Sequence, residues 1–94
     1  MIFKNEYIDI IRENASAFNA KKIVLFGSAV ETPNNCNDID LACDITGLDI
    51  FLFGSKLEDI LKIPIDIIPI NNDDPFMKIV NKYGRVIYES EQNN

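Results

Sequence analysis

The chain has 94 residues, enough for one small domain, and its fifteen acids against nine Lys plus Arg give a net charge of −6. That surplus argues against a protein gripping a nucleic-acid backbone, which calls for a basic face, and suits either a solubilising surface or carboxylates gathered around a cation. The absence of histidine excludes His-based triads and His-containing zinc sites, and two cysteines are too few for a secreted disulfide scaffold.

Tyr7, Ile8, Ile11, Ala15 and Phe18 recur at three- and four-residue spacings, which predicts an amphipathic helix over about 5–18. This N-terminal stretch has scattered charges and no apolar run of signal-peptide length. No segment approaches the roughly 20 apolar residues of a membrane helix, so the expected location is cytoplasmic, with no membrane partner. "KIVLF" reads as a buried strand ending at Gly27, and "ETPNNCN" as turn chemistry. "DIDLACD" alternates polar and apolar residues, as a half-buried strand does.

Ile50, Phe53, Leu57, Ile60 and Leu61 share a helical face, with Asp49 as a candidate N-cap. "PIDIIPI" is a further short strand. "DDPFMKIVNKYG" has an Asp cap, a Pro in the first turn and Gly84 as a stop, and "RVIYE" is a last strand. The order α-β-(turn or short helix)-β-α-β-α-β predicts an α/β (α+β) fold with one mixed sheet of about four strands. A single domain is expected over 1–90, with a flexible tail at 91–94.

Leu-Phe-Gly-Ser occurs twice, ending at Ser28 and at Ser55. The first copy closes a strand and is followed by Asp38 and Asp40, whereas no Asp-x-Asp pair follows the second at that offset. Gly54 and Ser55 fall inside a helical apolar stripe, so the second copy is read as coincidence. In the first, Gly27 permits a sharp turn and close ligand approach, and backbone N–H groups with the Ser28 hydroxyl form a cradle for phosphate oxygens. A plain turn would look the same.

On a strand, Asp38 and Asp40 share a face while Ile39 and Leu41 point to the core. Two adjacent carboxylates repel unless a cation neutralises them, and oxygen-only ligation suits Mg²⁺. A solvated strand edge is the alternative. Asp66 stands in a very apolar stretch and, if buried, needs a partner such as a metal shared with Asp38 and Asp40; simple alternation would instead put it on a solvent face. A calcium loop of EF-hand type does not fit, because "NCNDIDLACD" lacks the required Gly and terminal Glu spacing. A divalent-cation-binding domain unrelated to nucleotides remains open on these residues alone.

"GSAVETPNNCNDIDL" resembles the nucleotidyltransferase signature of the DNA polymerase β-like superfamily: Gly-Ser, a loop of about ten residues, Asp-x-Asp on the next strand, then a third Asp as at Asp66. Length, element order and the closing "KIVNKYGRVIYE" are similar to the minimal nucleotidyltransferases (MNT family). The resemblance implies that Gly27 and Ser28 hold the triphosphate of an NTP and that Asp38, Asp40 and Asp66 are catalytic and ligate two Mg²⁺ ions. It implies transfer of AMP from ATP to a hydroxyl, with a tyrosine of a HEPN-type toxin as acceptor and the chain as antitoxin. Where that family commonly has Arg and Gly in the loop after the serine, this chain has Glu31 and Thr32. The departure supports a second reading, a catalytically degenerate module that neutralises a partner by stoichiometric binding.

Overall fold

The computed structural model describes residues 1–90; the tail expected at 91–94 lies outside the described residues. The elements are α1 (Asn5–Ala15), β1 (Lys22–Phe26), α2 (Ser28–Glu31), β2 (Ile39–Asp44), α3 (Asp49–Leu61), β3 (Ile65–Pro69), α4 (Pro75–Tyr83) and β4 (Arg85–Glu89). The sheet order is β3-β2-β1-β4, with β1 antiparallel to both neighbours and β2 parallel to β3. The expected mixed four-stranded sheet is therefore present.

Strand alternation divides the core. Ile23, Leu25, Ile39, Leu41 and Cys43 pack with Ile8, Ile11, Phe53 and Leu57 of α1 and α3. On the opposite face Val24 and Ala42 meet Met77 and Val80 of α4. One step along the same face, the register sets Phe26 opposite Asp40 and Asp40 opposite Asp66, a row across three strands. Asp40 and Asp66 thus share the α4 side of the sheet.

Several boundaries differ from expectation. Helix α1 stops at Ala15 and gives way to one 3₁₀ turn, Ser16–Phe18, closed by Asn19 in the left-handed region (φ 56°). Phe18 still reaches the core, its ring 5.5 Å from that of Phe53. The residue at the N-cap of α3 is Leu48, and Asp49 is the first helical residue, where its charge favours the helix dipole without capping. Ile60 is 42% exposed at the edge of the stripe formed by Ile50, Phe53 and Leu57. Gly54, from the second Leu-Phe-Gly-Ser, lies inside α3, where a Cβ would sit 3.0 Å from Ile67 Cδ1. Its role is close packing of α3 on β3.

Helix α4 follows its sequence signals. The Phe76 N–H donates to Asp74 Oδ1 at 2.9 Å, Pro75 begins the helix, and Gly84 ends it with an N–H bond to the Val80 carbonyl at 2.7 Å. Gly84 has an ordinary φ of −81°. A Cβ there would overlap the Val80 carbonyl and lie 2.8 Å from Val24 Cγ1, so glycine lets the end of α4 rest on β1. Among the described residues no helix is long and apolar enough to cross a membrane.

Candidate metal–nucleotide site

At the end of β1 the chain turns at Gly27, with φ 74° and ψ −149°, and enters α2 at Ser28. That backbone region is nearly exclusive to glycine. Asp40 makes a second demand on the position, because a Cβ on Gly27 would overlap Asp40 Oδ2 and stand 3.1 Å from its Cγ. The Val30 and Glu31 N–H groups bond to the Gly27 carbonyl at 3.0 Å each, and Thr32 N–H to the Ser28 carbonyl at 2.8 Å. The N–H groups that open such a turn have no intrahelical acceptor. Gly27 and Ser28 are half-buried at the end of β1, and Gly27 lies against Asp40.

The three acids converge: one carboxylate oxygen from each of Asp38, Asp40 and Asp66 lies within 4.8 Å of the others. Asp38 arrives by a route the sequence did not show, and Asp66 takes one of the two positions the sequence left open. Asp38 is not on a strand; it precedes β2 in the loop leading into it. Pairing with β1 ends at Phe26 opposite Asp40, because Gly27 turns away, and pairing toward β3 begins with Ile39 N–H to the Pro64 carbonyl at 3.0 Å. The approach is held instead by backbone bonds to the N-terminal segment, Phe3 N–H to Pro33 O at 2.7 Å and Cys36 N–H to Met1 O at 3.1 Å. Asp66 is not buried either. Strand β3 is an edge strand, and its alternation puts Asp66 toward solvent with Ile65 in the core.

Asp38 and Asp40 both have a raised proton affinity. Asp40 is pushed up to about 6, first by partial burial and then by the charges of Asp38 and Asp66. Asp38 is also raised, chiefly by a side-chain hydrogen bond to Asp66 that favours its protonated form. The ion pair found among the described residues, Lys4 with Glu6 at 4.0 Å, offers no charge to this cluster. Three carboxylates in reach of one point, with no ion-pair partner among the described residues, have the chemistry to ligate a hard divalent cation.

The sign of the pH effect follows. The folded value for Asp40 lies above the ordinary unfolded carboxylate value, so its contribution to stability is present below about pH 4 and is lost as pH rises toward 6. A divalent cation must displace the proton. Titration with Mg²⁺ is expected to show about tenfold weaker binding at pH 5 than at pH 7.5. Affinity independent of pH across that interval would contradict the cluster as ligand set.

Next to Gly27 a cavity of about 340 Å³ opens between β1, α2 and α4. Phe26 and Phe76 form one part of its wall, edge to face with centroids 5.9 Å apart, and Glu31, Ile79 and Tyr83 form the rest. Tyr83 is 57% exposed here rather than a core residue, while Tyr7 and Tyr88 pack against the main core. Sequence reasoning missed this cavity. Phe76, Ile79 and Tyr83 carry a signal, since their spacing puts them on one helix face, but that face adjoins the buried one of Met77 and Val80.

The family described as "Polymerase beta, Nucleotidyltransferase" matches residues 5–93. No curated protein sequence matches the chain. Among solved structures, a chain of the MntA-HepT toxin-antitoxin crystal structure superposes with a TM-score of 0.69 at 16% identity, over 95% of this chain and 75% of that one. A toxin-antitoxin structure with AMP-PNP gives 0.65 at 18%, over 93% and 74%. A tri-AMPylated Shewanella oneidensis HEPN toxin in complex with MNT antitoxin gives 0.65 at 18%, over 93% and 73%. Identities this low establish a shared fold, and the family match extends from α1 through β4, across the Gly-Ser turn and all three convergent carboxylates. The chain belongs to the polymerase beta nucleotidyltransferase family.

Proposed function

We propose that the chain is an Mg²⁺-dependent nucleotidyltransferase that moves AMP from ATP to a tyrosine hydroxyl of a HEPN-type toxin, acting as its antitoxin in the cytoplasm. The observation that carries the reading is the convergence of Asp38, Asp40 and Asp66 beside Gly27. When bound, Mg²⁺ supplies positive charge to the phosphate oxygens and acidifies the attacking hydroxyl. Asp38 and Asp40 would hold it, and Asp66 would complete the position of a second ion. Gly27 and Ser28 present backbone N–H groups and a hydroxyl to the triphosphate. Asp66, the most open of the three, faces the acceptor and takes the phenol proton as the tyrosine oxygen bonds to the α-phosphorus. The bond from that phosphorus to the β-phosphate bridging oxygen breaks, and pyrophosphate leaves.

Support for a protein acceptor comes from the surface. Leu48, Phe51 and Leu52, around the start of α3, are 76%, 73% and 57% exposed, an apolar patch suited to a partner. The toxin-antitoxin structures that share the fold fit that reading. Both cysteines are free and buried, as suits a reducing compartment.

The test is intact-mass measurement of a co-purified HEPN-type toxin after incubation with ATP and Mg²⁺. Wild-type protein is expected to add AMP to a tyrosine and Asp38→Asn protein is not; equal modification by both would overturn the reading. A second reading, neutralisation by stoichiometric binding, is favoured by Glu31 on the cavity wall beside Gly27. It predicts full neutralisation by the Asp38→Asn protein with no mass added.

A further inference from the structure

An NTP has two unlike ends, a polyanion and a flat, largely apolar base, and the three carboxylates account only for the first. None of them lines the cavity described above, yet Gly27 belongs to both places: Asp40 lies over it, and it forms part of the cavity wall. The wall is otherwise aromatic and aliphatic, with Glu31 its one charged member. Phe76, Ile79 and Tyr83, at successive turns of one face of α4, are 44%, 55% and 57% exposed, whereas Met77 and Val80 of the same helix are buried. Three large apolar side chains exposed together beside a polar site gain free energy when a ligand with an apolar face covers them. The cavity's size, about 340 Å³, falls at the lower end of the range for small-molecule sites.

We infer that this cavity is the seat of the nucleobase, stacked against Tyr83 and the Phe26–Phe76 pair, with Glu31 accepting a hydrogen bond from an amino group on the base. The inference rests on the nucleotidyltransferase reading and adds to it the place and the selector of the base. It gives Glu31 a role suited to its chemistry, since a carboxylate accepts hydrogen bonds and donates none. Bases that present an N–H donor to it are favoured. At the cavity Glu31 meets the uncharged end of the nucleotide, where an acid carries no penalty of repulsion.

The experiment compares ATP with inorganic tripolyphosphate, each with Mg²⁺, by calorimetry on the full chain. Tyr83→Ala is expected to weaken ATP about tenfold and leave tripolyphosphate unchanged, because loss of one stacking partner acts on the base alone. Tyr83→Phe keeps the ring and is expected to retain ATP affinity, which separates stacking from damage to the fold. Glu31→Gln is expected to weaken ATP and not tripolyphosphate; tighter tripolyphosphate binding would mean that Glu31 faces the phosphates and would overturn its role. Equal affinities for ATP across the Tyr83 proteins would overturn the base site while the nucleotidyltransferase reading stands. So would a Tyr83→Ala protein that loses its toxin partner and keeps ATP, which would make the cavity a protein-docking groove. If wild-type protein binds neither ATP nor tripolyphosphate, both readings fall together.

Discussion

The Asp40→Asn protein is expected to lose nucleotide transfer by on the order of 10³-fold, about 4 kcal/mol of transition-state stabilisation, while melting no lower than wild type when metal-free. Both halves come from one geometry. Asp40 sits between Phe26 and Asp66 in the sheet register, partly buried and close to two other carboxylates, and its proton affinity is raised accordingly. Above pH 6 its charge opposes folding, so an uncharged amide of nearly the same shape relieves repulsion in the absence of metal. On the proposed reaction the same change removes a ligand aimed at the charge that develops on the phosphate oxygens. Parallel melting curves and transfer rates check this. An Asp40→Asn protein that melts well below wild type in EDTA would mark the carboxylate as a structural element instead.

Gly27→Ala is expected to damage both the fold and the site. The backbone at φ 74° and ψ −149° costs about 1–3 kcal/mol for any residue with a Cβ, a melting decrease on the order of 10 °C in a domain this small. The Cβ would also displace the Asp40 carboxylate. Mg²⁺ affinity is therefore expected to fall by an order of magnitude or more, since a ligand moved by its own packing no longer shares the point defined with Asp38 and Asp66. Gly47→Ala is the control. Gly47 has φ 62°, but its Cβ would meet nothing within 4 Å, so a loss of about 1 kcal/mol with unchanged Mg²⁺ affinity is expected. Unchanged Mg²⁺ affinity in the Gly27→Ala protein would contradict the role given to Asp40.

Much of this arrangement was legible in the sequence because local chemistry and tertiary context agree there. The run "KIVLF" and the capped, proline-started α4 are built by forces acting within a few residues, and their limits match expectation closely. The approach of Asp40 to Asp66 follows from their register on β2 and β3 once those strands are neighbours. What did not read out depends on distant partners. Asp38 leaves the strand because Gly27 ends the β1 ladder and the N-terminal segment holds the loop, contacts between residues far apart in the chain. For Asp66 the isoleucine neighbours leave burial and a solvent face both open, and the edge position of β3 decides for exposure. The cavity beside Gly27 forms only when α4 folds back over Phe26, a pairing that no local pattern announces.

The most direct test of the metal–nucleotide site is a thermal-shift comparison of the full chain with Mg²⁺ alone, ATP in EDTA, and the two together. Ligand at about 100 times its dissociation constant adds roughly 2.7 kcal/mol, on the order of 10 °C for a domain of this size. The account predicts a small rise with Mg²⁺ alone, none with ATP in EDTA, and a combined shift larger than their sum. A shift with ATP that EDTA leaves intact, or none with both components present, would contradict a site built on Asp38, Asp40 and Asp66.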